Sequence, residues 1–189
     1  LAFSPLFWSQ AIIAEVYALN ALFTAALLYL LWQWEASGRR SLLPLLSFLY
    51  GLGLGNHLTL LLLLPGMLYL IWSSPQRLAI TRHVALATAG AFLAGLCIYL
   101  YLPVRAAADP RPNWGDPTTL RRFLWVTSGA IYRHYLFGVP LAAWPLRLTA
   151  WARHLLAQFG PCGVILGAIG LAVGMRGRRR VAIATLLTF

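Results

Sequence analysis

Val84-Ala-Leu-Ala-Thr-Ala-Gly-Ala-Phe-Leu-Ala-Gly-Leu-Cys-Ile-Tyr-Leu-Tyr-Leu102 is a continuous apolar run without a single charged side chain. A stretch of this length and character is read as a helix that crosses a lipid bilayer. It stands between Arg77 and Arg82 on one side and the arginine-rich stretch that begins at Arg105 on the other. Similar runs recur on both sides of it. They fix the fold class as all-α, a polytopic bundle of transmembrane helices.

Composition agrees. Hydrophobic residues make up 60% of the 189 residues and charged residues 10%, against about half and about a quarter in soluble domains. The net charge of +11 comes wholly from arginine, because the chain has no lysine. The charges lie between apolar spans, so lipid headgroups or anionic substrates are the expected partners and nucleic acid is not. The chain opens at Leu1 without methionine and stops at Phe189 inside an apolar run. A partial transmembrane domain, residues 1–189, is therefore expected. Cys97 and Cys162 have no zinc or redox spacing and read as small apolar residues.

Spans are expected over about 8–34, 42–55, 58–72, 84–102 and 160–175, with another starting at 181. The segment 41–72 is too long for one straight span and slightly short for two. Gly51-Leu-Gly-Leu-Gly55-Asn56-His57 interrupts it. A tight helical hairpin with Asn56 and His57 at its tip is one reading, and a single kinked span the other. Gly51 and Gly55 form a GxxxG pair suited to close helix approach. With the hairpin, three short connections fall on one side: Arg39 and Arg40; Arg77 and Arg82; and Arg176 to Arg180. Short basic loops mark the cytoplasmic face. Residues 103–159 then form a long extracytoplasmic loop.

That loop carries seven arginines between Arg105 and Arg153, together with several aromatic residues. Asp116-Pro117-Thr118 reads as a helix N-cap followed by proline at the first helical position. Leu120, Phe123, Leu124 and Thr127 share one face of the helix that follows. A second helix aligns Trp144, Leu148, Trp151 and Leu155. Both suit the membrane interface. So much cationic, phosphate-matching chemistry on an outer face suggests a lipid-linked phosphate.

The candidate functional residues follow from cost and position. Glu15 falls near the outer boundary of the first span, with the small residues Ala11, Ala18 and Ala25 on its face. It either faces a polar cavity or reaches to water or an arginine. Asn56 and His57 either bind a phosphate or sugar hydroxyl or satisfy their own turn. Arg105 ends a span as a phosphate donor or a headgroup anchor. His83 reads as a headgroup contact, and His134 and His154 lack ligand spacing, so zinc is not expected; a divalent metal remains open. No Ser/His/Asp triad or close carboxylate pair is present.

Phe3-Ser4-Pro5 with Trp8, Ala14-Glu15-Val16-Tyr17-Ala18-Leu19-Asn20, Gly51-Leu-Gly-Leu-Gly-Asn56-His57-Leu-Thr59, Tyr101-Leu-Pro103-Val-Arg105 and Asn113-Trp114-Gly115-Asp116-Pro117 occur in that order. Together they resemble the domain-of-unknown-function 2723 family, whose animal members are protein O-mannosyltransferases. The resemblance covers about residues 3–137. It implies a GT-C-like enzyme, with an outer-face site and a polyprenyl-phosphate-linked sugar donor. The acceptor would be a hydroxyl on protein or glycan. Glu15 matches the family's second acidic position, and the principal base is expected before Leu1. Asn56, His57, Arg105, Asn113, Trp114 and Asp116 match its outer-face motifs and are implied to bind substrate. The implied reaction is inverting. A bacterial inner membrane is the expected location. A transporter or flippase of lipid-linked or anionic solutes is the alternative, as is a non-catalytic membrane subunit that binds partners through its small-residue faces.

Overall fold

The computed structural model describes residues 16–135 and 138–188, so Glu15, Phe3-Ser4-Pro5 and Trp8 lie outside the described residues. Among those described, the regular structure is helical, with no strand. The α-helices are α1 Val16–Ser37, α2 Leu42–Leu54, α3 Leu64–Ser73, α4 Arg82–Leu96, α5 Tyr101–Ala106, α6 Leu120–Thr127, α7 Trp144–Gly177 and α8 Arg179–Thr188. Short 3-10 turns join several of them, including Leu58–Leu63 before α3 and Cys97–Leu100 between α4 and α5. The dominance of helix has a physical cause. An apolar chain in lipid must satisfy every backbone N–H and C=O within its own segment. Three helical runs are long and apolar enough to cross a membrane: Val16–Ser37, Arg82–Ala106 and Leu141–Gly177. The protein is therefore an integral membrane protein.

α1 ends where Gly38 takes a positive φ of 65° and its N–H bonds the Trp34 carbonyl at 2.8 Å. This is a glycine C-cap. The chain then reverses into α2. Asn56, just past the far end of α2, donates to the Val16 carbonyl at 3.1 Å. α1 and α2 are thus antiparallel. Beyond the 3-10 turn, α3 returns. A Cβ placed on Gly38 would meet Gln76 Oε1 at 2.6 Å, so the two ends of the segment 42–76 lie together at the Gly38 end. The segment is a turn-back with Asn56 and His57 at its apex, not one kinked rod.

α4 runs parallel to α2 along its whole length. Ser47 Oγ donates to the Thr88 carbonyl at 2.9 Å, and a Cβ on Gly55 would meet Ile98. The closest approach pairs Gly51 with Gly95: a Cβ on either would run into the other helix's backbone, at Phe92 and Phe48 respectively. The glycine face of α2 is therefore filled by α4. Tyr50 stacks on Phe92 beside it, with centroids 6.1 Å apart. Tyr99 caps α2 by donating its hydroxyl to the Leu54 carbonyl at 2.6 Å. That carbonyl would otherwise be one of the unpaired acceptors of a helix end.

The core is contiguous. Leu27, Leu31 and Trp34 of α1 pack with Leu43, Leu46 and Tyr50 of α2, Leu60 and Leu63 of the turn, Met67 and Leu70 of α3, and Ala184 of α8. α8 lies antiparallel to α3: Arg180 contacts Ser73 near its start, and Ala184 faces Gly66 farther along.

α7 consists of two helical parts that meet at Gly160, the residue at which the sequence expectation begins its span. The sequence predicts an interfacial helix at 144–155 and a span at 160–175; the run Trp144–Gly177 leaves helical geometry at Gly160, where φ is 65° and ψ 172°. Pro161 follows and cannot donate to the preceding turn, so the two expected pieces meet at a kink rather than a loop. No α7 residue is buried, and Gly167 and Gly170 have no non-local atom within 4 Å of an added Cβ among the described residues.

Two ends of the bundle result. Glu35, the Arg39–Arg40 turn, Ser73 to Arg77 and Arg178 to Arg180 gather at one. Val16, Asn20, Asn56, His57, Thr59 and α6 gather at the other.

Candidate functional site

At the Asn56 end, two of the sequence strings meet. α2 stops at Leu54, and His57 adopts an extended conformation that starts the 3-10 turn Leu58–Leu63. Its Nδ1 accepts from the Thr59 backbone N–H at 3.2 Å and lies 2.8 Å from Thr59 Oγ1. With Nδ1 accepting, the ring carries its proton on Nε2, which is left to donate outward. Tyr17 packs on the His57 ring at 5.8 Å. Asn20 donates from Nδ2 to Thr59 Oγ1 at 3.2 Å. The Asn20 Oδ1 atom is buried and has no hydrogen-bond partner among the described residues. Three contacts (Val16 with Asn56, Tyr17 with His57, Asn20 with Thr59) thus pin the start of α1 to the apex. The carboxylate-bearing residue Glu15 lies outside the described residues, immediately before one of these anchors.

The second assembly follows α5. Ala106 is buried, and its carbonyl accepts from Asn113 Nδ2 at 3.4 Å. The same amide reaches Asp116 Oδ1 at 3.3 Å, Thr118 Oγ1 reaches it at 3.2 Å, and Arg122 pairs with Oδ2. Asp116 is therefore a hub. It is not the helix N-cap expected from the sequence. Thr119 takes that place, accepting from the Arg122 N–H at 3.4 Å, and α6 begins at Leu120. The reason is local: Gly115 and Asp116 both adopt positive φ, 72° and 38°, and turn the chain before Pro117. Thr119 then has the extended backbone a cap requires.

Trp114 is 60% exposed. Arg105 is exposed on α5 and has no hydrogen bond or ion pair among the described residues. The structure thus brings Asn113 and Asp116 together and sets Asn56 with His57, while Arg105 and Trp114 stand free. No group of three His, Cys, Asp or Glu side chains could hold a metal among the described residues.

Sequence reasoning counts Arg121, Arg122 and Arg133 among the loop's seven arginines but does not bring them together as one site. Arg121, Arg122 and Arg133 line an open cavity of about 390 Å³ with Trp125 and Ser128. Arg122 is already neutralised by Asp116, so Arg121 and Arg133 supply the uncompensated charge. Across α6 lies a second, apolar groove of about 520 Å³. Leu54, Leu58, Cys97 and Leu100 form one wall, and Phe123 and Thr127 the other. Ser128 lines both spaces. The signal available in the sequence was the amphipathic period of α6, with arginines on one flank and Phe123 and Thr127 on the other.

The chain matches the family model described as "Protein O-mannosyl-transferase TMEM260 N-terminal domain" over residues 1–80. It is 36% identical over 132 residues to protein O-mannosyl-transferase TMEM260 of Mus musculus, covering 65% of this chain and 18% of that protein. It is 26% identical over 195 aligned residues to protein O-mannosyl-transferase tmem260 of Dictyostelium discoideum, covering 89% of this chain and 23% of that protein. The chain spans about a fifth of the length of these curated relatives. No solved structure matches it. The similarities support an O-mannosyl-transferase-like family.

Proposed function

We propose that the chain is part of a membrane glycosyltransferase that moves mannose from a polyprenyl-phosphate donor to a hydroxyl on an acceptor protein, with the Asn56 end as its catalytic face. The observation that carries the reading is the junction at Ser128. A cavity with two uncompensated arginines opens beside an apolar groove, which is the shape of a phosphate joined to a long isoprenoid chain. The names of the relatives supply the mannosyl transfer to protein.

The chemistry follows from these parts. A carboxylate takes the proton of the acceptor hydroxyl; Glu15 and an acidic residue preceding Leu1 are the proposed pair. The hydroxyl oxygen forms its bond to the anomeric carbon on the face opposite the phosphate, and the bond from that carbon to the phosphate oxygen breaks. The electron pair leaves on the lipid phosphate, so the configuration inverts. Charge grows on the leaving oxygen in the transition state. Arg121 and Arg133, which line the cavity, would stabilise it, the kind of interaction that contributes most to many such rate enhancements. His57 Nε2 and Asn56 hold the sugar side. The short basic connections favour the cytoplasm for the opposite end, which supports transfer on the outer face.

The test uses the full-length protein with a mannosyl polyprenyl-phosphate donor. Arg121→Gln with Arg133→Gln lowers kcat/KM by about 10²-fold, the loss typical of removing a donor to a developing anion. Unchanged transfer by that double variant removes the phosphate site from α6. Movement of the donor across the bilayer without transfer of sugar replaces the enzyme with a flippase.

A further inference from the structure

The opposite end of the bundle carries a second basic cavity that the transferase reading does not use. It has about 550 Å³ and lies between the last turn of α1 and the elbow joining α7 to α8. Trp32, Glu35, Gly177, Arg178, Arg179 and Arg180 line it. The elbow exists because Arg178 leaves helical geometry, with φ −132° and ψ 52°, and α8 restarts at the next residue. Three guanidinium groups and one carboxylate therefore surround one space. Arg180 is spent on Glu35, 3.1 Å away, and on the Ser73 carbonyl. Arg178 and Arg179 are exposed, and their guanidinium groups have no hydrogen bond or ion pair among the described residues. Three positive charges less one negative leave a net +2.

We infer that this cavity binds the phosphate headgroup of an anionic phospholipid. Phosphate oxygens are the natural partners of unpaired arginines, and basic pockets between membrane helices hold such headgroups. Two observations favour a lipid over free phosphate. First, the cavity lies at the ends of two runs able to cross the membrane, Val16–Ser37 and Leu141–Gly177. Trp32, 55% exposed, stands there as an indole does at the headgroup level. Second, an apolar cleft of about 220 Å³ adjoins it between α1, α3 and α8, lined by Leu28, Met67 and Leu70. Trp32, Glu35 and Val181 line both spaces. A headgroup in the basic cavity can therefore lay an acyl chain in the cleft. The site is at the far end of the bundle from α6, and it stands or falls independently of the sugar-transfer reading.

The experiment counts lipids retained by the intact protein. The protein is reconstituted in nanodiscs of phosphatidylcholine with phosphatidylglycerol, and co-purifying lipid is read by native mass spectrometry. One phosphatidylglycerol is expected to stay bound. Arg178→Gln with Arg179→Gln lowers its retention by about 10- to 30-fold, the loss expected for two basic side chains at a headgroup. Arg39→Gln with Arg40→Gln makes the same charge change at the same end and leaves retention unaltered. Arg178→Lys with Arg179→Lys, which keeps the charge, restores most of it. Equal loss from both glutamine pairs would mean diffuse attraction and overturn the site. So would retention that ignores Arg178 and Arg179. Release of the lipid by millimolar inorganic phosphate, with phosphate bound equally well when no lipid is present, would reassign the cavity to a soluble anion.

Discussion

Glu35 and Arg180 form an ion pair at 3.1 Å, and the same guanidinium donates to the Ser73 carbonyl at 3.1 Å. One side chain of α8 thus closes the ends of both α1 and α3. The Glu35 side chain is only 17% exposed, and its Oε2 is buried with no partner among the described residues. Its remaining carboxylate oxygen depends wholly on Arg180. Replacing Arg180 by leucine therefore leaves a largely buried acceptor unsatisfied, at a cost of about 1–3 kcal/mol. A thermal-stability assay in detergent checks this. Glu35→Gln in the Arg180→Leu background should recover part of the loss. Simple additivity of the two changes would show that the pair does not couple.

The Gly51–Gly95 contact gives a second prediction. Both glycines lie against the opposite helix's backbone, which cannot move aside as a side chain tip can. Gly51→Leu should destabilise the bundle by about 1–3 kcal/mol or more through overpacking. Gly167→Leu should be silent, since open space surrounds that position among the described residues. Comparing the melting of the two variants separates internal packing from partner binding. A subunit that docks through its small-residue faces would show loss of function from Gly167→Leu with stability intact.

Asn56 offers a third. Its amide holds the Val16 carbonyl, one residue after Glu15. Asn56→Ala should lower kcat by about tenfold while leaving the melting temperature within a few degrees, because misplacing a catalytic group by even an ångström is costly to rate. Asn20→Ala, which releases Thr59 from the same junction, should act in the same direction. A fall in stability that matches the fall in rate would make the apex structural only.

The fold was legible because a lipid-facing chain has few options. The apolar runs announced the helices, and the break at Asn56–His57 left a hairpin and a kinked span both open. Gly51 was legible as a close-approach position, but its partner Gly95 was not, since nothing local in sequence says which helices become neighbours. Gly160-Pro161 is legible as the point where one helix gives way to the next, and helical geometry does break at Gly160; that the two parts join directly rather than through a loop is set by the backbone there. Asp116 was read as a cap because Asp-Pro-Thr has cap chemistry. The positive φ at Gly115 and Asp116 moves the cap on to Thr119, a backbone effect invisible in residue types. The α6 cavity escaped notice for a similar reason. Arg121 and Arg133 meet only after the turn at Gly129, and single-helix periodicity does not see across a turn.

Asp116 carries the last prediction. As an acid in an arginine-rich outer loop it invites assignment as the catalytic base. Its contacts argue otherwise: Asn113, Thr118 and Arg122 already engage both of its oxygens. A carboxylate with both oxygens already engaged by neighbouring donors is not free to lie against an acceptor hydroxyl, as a general base must. Asp116 should instead position α6, and with it the arginines that face the donor phosphate. Asp116→Asn then lowers kcat/KM by about tenfold and leaves the pH–rate profile unmoved. Arg122→Ala should do much the same, and the double variant should be scarcely worse than either, because both changes break one unit. Glu15→Gln should be more damaging, by about 10²-fold or more, as expected for losing one of the two carboxylates proposed at the reacting hydroxyl. If Asp116→Asn instead abolished transfer and removed the acidic limb of the profile, the base would be Asp116, and Arg122 would be the group that must leave it during turnover.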